Sequence, residues 1–185
     1  VTSGFDCGPG NLLMDSWIKL HTGKSYDRDG AWAASGKVIP ALLQSLLNEP
    51  YMLASPPKSC GRDLFNMHWL QQKLRGDEMP ADVQATLLAL TGSAISTSIL
   101  QHCLGAEEVY VCGGGAHNQM LLAYLREALP NCHIQLTDIL SIEADWLEAI
   151  AFDWLAQQTL HGVCANLPEA TGARHPCILG AIYQA

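Results

Sequence analysis

Apolar residues recur at helical spacing in six stretches of this chain, separated by turns rich in glycine, proline and polar residues. Leu13, Trp17 and Leu20 predict a helix behind the turn Asp6-Cys7-Gly8-Pro9-Gly10-Asn11, and Val1 to Phe5 ahead of it reads as the end of a strand. Gly23 to Gly36 is turn-rich and polar, and Val38 to Leu47 then gives an apolar helix that stops near Pro50. The paired prolines in Ser55-Pro56-Pro57-Lys58-Ser59-Cys60-Gly61-Arg62 bar a helix, because proline has no amide hydrogen and restricts the residue before it. Helical spacing resumes from Phe65 to Leu74. After a polar loop at Arg75 to Met79, Pro80 suits the first turn of a long helix to about His102, with Val83, Leu87 and Leu90 in phase.

Glu108 to Cys112 reads as a buried strand that ends in Gly113-Gly114-Gly115-Ala116-His117-Asn118, and Leu121, Leu122, Leu125 and Leu129 form the apolar stripe of the next helix. His133 to Leu136 is a further short strand, and Leu147, Ile150, Ala151, Trp154 and Leu155 mark one more amphipathic helix. The tail from Gly172 to Ala185 holds a last apolar piece around Ile178 to Ile182. Strand, glycine turn and helix thus occur twice. Long helices interleaved with short strands predict one α/β domain, a sheet covered by helices, without a second domain or a repeat.

Composition agrees with a packed core: 185 residues, 49% hydrophobic against 15% charged, suffice for one good-sized domain. A net charge of -8 without a Lys/Arg cluster lacks the footprint of a nucleic-acid or anionic-membrane binder. The weakly charged stretch from Ala81 to Leu104 is broken by Asp82, Gln84, Gly92 and Gln101, and reads as a buried helix rather than a bilayer span. Seven cysteines without paired spacing predict reduced thiols in a cytoplasm. His102-Cys103, Cys132-His133 and His175-Pro176-Cys177 form no recognised zinc spacing, so no metal site is expected from them. Trp17, Trp146 and Trp154 fall on apolar helix faces, which predicts core packing. The sequence opens on Val1 and reaches a dense Gly/Pro/Asp motif at once, the mark expected of a piece of a longer protein.

Two glycine turns carry the candidate chemistry. In Asp6 to Asn11, glycine lets the backbone approach a ligand, the helix start offers N–H donors to phosphate, and Asp6 can take a proton or hold a metal. The same six residues equally suit an ordinary turn with a locally bonded aspartate. Gly113-Gly114-Gly115 lacks both the GxGxxG spacing of dinucleotide folds and the GK[ST] ending of P-loops. It suits an adenine lying against bare backbone, with Asn118 beside a ribose, or else close packing of strand on helix.

Taken together, Gly4-Phe5-Asp6-Cys7-Gly8-Pro9-Gly10-Asn11, Pro56-Pro57-Lys58-Ser59-Cys60-Gly61-Arg62, Val111 to Asn118 and Asn166-Leu167-Pro168-Glu169-Ala170-Thr171-Gly172-Ala173 resemble anhydro-N-acetylmuramic acid kinases, in that order. The resemblance also takes in Tyr26-Asp27-Arg28-Asp29-Gly30 and Glu148-Ala149-Ile150-Ala151-Phe152, and so spans nearly the whole chain. Two positions depart from it: the family commonly has Thr where this chain has Cys7 and Cys60, which changes the hydrogen bonding there.

The resemblance implies an RNase H-like lobe of the actin, sugar kinase and Hsp70 superfamily, a mixed sheet flanked by helices. Residues 1–185 would be the C-terminal lobe of a two-lobed kinase. The family's N-terminal lobe, with its Gly-Thr-Ser-type phosphate loop, is absent from this sequence, so the chain alone is expected to be inactive. The implied reaction uses ATP, Mg²⁺ and water to open the 1,6-anhydro ring of anhydro-N-acetylmuramic acid and phosphorylate O6, in cytoplasmic recovery of bacterial cell-wall sugar. By motif match Asp6 is the general base, Gly8, Gly10 and Asn11 stand on the phosphate side, and Gly113, Gly114, Gly115 and Asn118 on the adenosine side. Asp6 and Glu148 are the sugar-binding candidates, while Lys58 and Arg62 are as well explained by a surface loop. Another superfamily sugar kinase or ATPase is the alternative within the fold, and a noncatalytic nucleotide-binding or dimerisation lobe the alternative outside catalysis; the expected partners are the sugar, the missing lobe and a second copy in a homodimer.

Overall fold

A computed structural model describes residues 2–183. Helix α1 spans Leu12–Thr22, α2 Ala31–Ser35, α3 Pro40–Leu47, α4 Pro50–Leu53, α5 Met67–Lys73 and α6 Pro80–His102. Strand β1 (Glu108–Val111) leads through a 3-10 turn at Gly114–His117 into α7 (Gln119–Ala128), and β2 (His133–Leu136) follows. After another 3-10 turn at Thr137–Leu140 come α8 (Leu147–Leu160) and the short α9 (Pro168–Thr171).

The long helix α6 is the spine. It starts with Pro80, whose fixed φ suits the first turn and whose missing N–H has no intrahelical partner to lose. By length and composition it is apolar enough to cross a membrane, yet 67% of its apolar window is buried inside the protein. Val83, Leu87 and Leu90 pack with Leu13 and Trp17 of α1, Leu42 and Leu46 of α3, and Phe65 and Leu70 around α5. Its C-terminal half supplies Ile95 and Ile99 to a second cluster built on Leu121, Leu122, Leu125 and Leu129, with Ile134 from β2. Gly92 marks a tight crossing, since a Cβ there would drive into the Tyr124 ring of α7.

Among the described residues the sheet is a parallel pair, β1 beside β2, in register from Glu108 opposite His133 to Val111 opposite Leu136. A parallel pair requires a crossover, and α7 is that crossover. The protein is therefore mixed α/β, with helices on a small parallel sheet.

Three expectations are corrected. Thr2 to Phe5 form no strand, Val1 lying outside the described residues; the backbone there has no ladder, only one bond from the Asp6 N–H to the Lys58 carbonyl. β1 is not buried but alternates exposed and half-buried positions, being a pair member with one neighbour. Trp17 is a core residue, but Trp146 and Trp154 are 60% and 50% exposed, because α8 buries none of its residues. In the C-terminal apolar piece, for which no element is expected, Ile178 and Ile182 are exposed.

Candidate active site

The turn from Asp6 to Asn11 is held from two directions. On one side Thr91 Oγ1 of α6 donates to the Gly10 carbonyl at 2.7 Å, and a Cβ on Gly8 would come within 3.1 Å of the Ala94 Cβ. On the other the Pro-Pro loop clasps Asp6. Its Oδ2 accepts from Ser59 Oγ at 2.7 Å and from the Cys60 N–H at 2.9 Å. Tyr51 Oη donates to the Asp6 carbonyl at 2.7 Å. The Ser59 hydroxyl, and after it the Cys60 amide, favour the charged carboxylate and hold Asp6 below the ordinary aspartate pKa, against a smaller opposing effect of burial. Among the described hydrogen bonds none reaches Oδ1, so an exposed, ionised carboxylate keeps one oxygen for a ligand. Asp6, Cys7, Gly8 and Gly10 line a cavity of about 250 Å³ with Thr91.

Lys58 is not a free cation. Its Nζ donates to the Tyr51 carbonyl at 3.0 Å and lies 4.9 Å from the Tyr51 ring centroid, fixing the loop that presents Ser59. Arg62 is exposed and lines neither this cavity nor the larger one. Cys7 turns toward a neighbouring cavity of about 330 Å³ with Met52, Lys58 and Ser98, where burial pushes its thiol pKa up. Cys60 Sγ approaches the Gly8 carbonyl at 3.9 Å.

The second glycine turn meets the first. Gly113 has φ of 70°, a left-handed conformation that favours glycine, and its N–H donates to the Ala144 carbonyl at 2.8 Å. A Cβ on Gly114 would stand 3.6 Å from Asn11 Nδ2, so residues a hundred positions apart in the chain are neighbours. Asn118 is buried and caps α7, its Oδ1 accepting the Leu121 N–H at 3.1 Å. Asn11, Gly114 and Asn118 share a cavity of about 470 Å³ with Tyr26, Asp27, Arg28, Asp29, His117 and Asp15. Gly113 and Gly115 shape the turn without lining that cavity.

Sequence reasoning missed the acidic wall of this cavity. Asp15 follows Asn11 by four residues, one helical turn on the same face, which was the available signal. Burial, and then the nearby Asp27, raise its pKa. Asp27 is 8% exposed and holds backbone in place: Oδ1 accepts the Trp32 N–H and Oδ2 the Ala33 N–H, each at 2.9 Å, with Gln84 Nε2 at 3.3 Å. Those donors spread its charge and fix the start of α2. Gly30, at φ of 70°, backs onto Asn118 Oδ1 and leaves 2.7 Å for a Cβ against that of Met120, so a side chain has no room.

The family model for anhydro-N-acetylmuramic acid kinase matches residues 1–185. This chain belongs to that family. An anhydro-N-acetylmuramic acid kinase of Nitrosospira multiformis is 55% identical over 183 residues, covering 99% of this chain and 50% of the relative. Those of Nitrosomonas europaea and Thiobacillus denitrificans are 54% and 51% identical, again covering 99% and 98% of this chain and 50% of each relative. The chain spans about half the length of the curated relatives it matches.

Of the other anhydro-N-acetylmuramic acid kinase motifs, the Asn166 to Ala173 segment lies against Gly4 and the Pro-Pro loop. Ala170 packs at 3.5 Å from where a Gly4 Cβ would be, and Pro57 lies 3.8 Å from where one on Gly172 would be. Asn166 ties this segment, donating to the His175 carbonyl at 3.1 Å and accepting the Cys177 N–H at 2.6 Å. Glu148 is exposed in the first turn of α8 and lines none of the three cavities. Among the described residues no group of three or more His, Cys, Asp or Glu is arranged to hold a metal ion.

Proposed function

We propose that this chain is the C-terminal, RNase H-like lobe of a two-lobed ATP-dependent kinase, which together with an N-terminal lobe opens the 1,6-anhydro ring of anhydro-N-acetylmuramic acid and phosphorylates O6. The observation that carries the reading is the Asp6 carboxylate, ionised by its bonds to Ser59 and Cys60 and exposed beside a glycine turn. Water attacking the anomeric carbon must lose a proton, and Asp6 Oδ1 is the atom that takes it. The C1–O6 bond breaks as the new C1–O bond forms. The freed O6 attacks the γ-phosphorus of ATP, ADP leaves, and the product is N-acetylmuramic acid 6-phosphate.

Gly8, Gly10 and Asn11 are assigned to the phosphate side. The close approach of Asn11 to Gly114 supports placing ATP across both turns, with the adenosine toward the larger cavity and Asn118. Asp15, Asp27 and Asp29 line that cavity with Arg28, and three carboxylates beside one cation disfavour a polyphosphate there, which supports placing the phosphates at the Asp6 turn instead. Mg²⁺ would be bound by the phosphates, as is usual for an ion that keeps its waters, and would offset charge on the transferring phosphoryl group. Glu148 is retained as a sugar-binding candidate that needs the other lobe to complete its surroundings. Free thiols on all seven cysteines suit the bacterial cytoplasm we assign it to.

Turnover in heavy-oxygen water tests the bond changes. Label at C1 of the phosphorylated sugar, with none in the phosphoryl group, is the expected result; label in released phosphate would mean that water attacks phosphorus and would overturn the mechanism.

A further inference from the structure

Helix α8 is apolar on opposite sides and covered on neither. Trp146, Ile150 and Trp154 recur every four residues and are 60%, 49% and 50% exposed, while Phe152 is 64% exposed. Phe152 lies two residues on from Ile150, about 200° round the helix, so it faces away from that stripe. No residue of α8 is buried, and none belongs to either core cluster. Apolar residues of this size on two opposite sides of one helix, among Glu148, Asp153, Gln157 and Gln158, are more exposed apolar surface than a helix bathed in water carries, and mark an interaction surface. The C-terminal segment carries two more exposed apolar residues, Leu167 and Ile178. It meets α8 at Thr159, whose hydroxyl donates to the Leu179 carbonyl, and its Ala170 packs on Gly4 near the start of the chain.

Resting on the reading of the chain as a C-terminal lobe, we propose that α8 and the segment from Leu167 to Ile178 are the surface on which the family's N-terminal half docks. The relatives carry about as much polypeptide again as is matched here. Chain preceding residue 1 would arrive beside Gly4, hence beside this surface. A second copy fits less well. Two α8 helices meeting about a twofold axis would cover one face of each other, leaving either Phe152 or the Trp146, Ile150 and Trp154 stripe in water.

Hydroxyl-radical footprinting read by mass spectrometry tests this, on the chain alone and on the full-length polypeptide in which the family's N-terminal half precedes Val1. Modification of Trp146, Phe152 and Trp154 should be strong in the chain alone and lost in the full-length protein. In the full-length protein, Phe152→Asp with Trp154→Asp should restore modification at Trp146 and lower phosphoryl transfer about tenfold or more, as loss of interface anchors does. The same pair should leave the circular dichroism of the chain alone unchanged. Equal modification in the two proteins overturns the proposal whatever the kinase activity. Protection that arises in the chain alone as its concentration rises assigns the surface to a second copy and also overturns it. Protected aromatics in a full-length protein that transfers no phosphate would keep the docking surface and remove the kinase reading.

Discussion

Ser59 Oγ lies 2.7 Å from Asp6 Oδ2, across a separation of 53 residues. This bond, with the Cys60 amide beside it, sets both where the carboxylate points and how readily it takes a proton. Ser59 is the first cause of the lowered Asp6 pKa, so Ser59→Ala should move that pKa up toward the ordinary aspartate value. In the full-length enzyme the acidic limb of the rate profile should then shift to higher pH. A limb that stays in place would remove Ser59 from the control of Asp6.

The same depressed pKa predicts a pH effect on stability. A carboxylate whose folded pKa lies below its unfolded one stabilises the fold above the unfolded pKa, and the contribution is lost as pH falls through the folded value. For Asp6 the contribution is complete above the ordinary value of 3.8 and disappears below it, and Ser59→Ala should shrink it. Thermal melts of the chain and this variant between neutral and acid pH check the sign.

Asp27 is expected to act through α2 rather than through chemistry. Asp27→Ala leaves the Trp32 and Ala33 amides and the buried Gln84 amide without their acceptor, and should cost about 1–3 kcal/mol in urea unfolding. Asp27→Asn keeps one acceptor oxygen and should cost less.

Gly92→Ala sets helix propensity against packing. Alanine is favoured over glycine in a helix interior by up to about 1 kcal/mol. The added Cβ, however, meets the Tyr124 ring, whose hydroxyl is hydrogen-bonded to Ser93 Oγ at 2.7 Å and so resists moving. Overpacking should win, with a net loss of roughly 1–3 kcal/mol in a denaturant melt.

Thiol labelling separates the cysteines. Cys103, Cys112 and Cys164 are exposed, whereas Cys7 is half-buried with its pKa raised by burial. Iodoacetamide at neutral pH should therefore label the three exposed cysteines first and Cys7 slowly, since the thiolate is the reactive form. Fast labelling at Cys7 would contradict the placement of its side chain beside Ser98 and Lys58.

These outcomes differ in how far the sequence foretells them. Pro80 and the apolar phase of Val83, Leu87 and Leu90 announce α6 with both its ends, and the leucines of α7 announce its buried stripe, because those signals are local. Val1 to Phe5 read as a strand for want of any local contrary signal. A strand is made by a neighbour, and the Pro-Pro loop gives Asp6 a single backbone bond instead of a ladder. The periodicity of α8 was legible, yet nothing in Trp146 or Trp154 says whether the covering surface belongs to the same chain. Glycine turns and motif resemblance single out Asp6, Asn11, Gly114 and Asn118, which line two of the cavities. The clasp by Ser59 and the place of Asp27 in the acidic wall depend on long-range packing that spacing does not encode, whereas Asp15 follows Asn11 by one helical turn.

The most direct test of the account is phosphate transfer from ATP to anhydro-N-acetylmuramic acid by three proteins: this chain alone, the chain joined to the family's N-terminal half, and the joined Asp6→Asn variant. The account predicts turnover only in the joined protein, with Asp6→Asn lowering it by about 10²–10⁴-fold while ATP binding is kept. A folded, ATP-binding joined protein without turnover, or an Asp6→Asn variant as active as its parent, would contradict it.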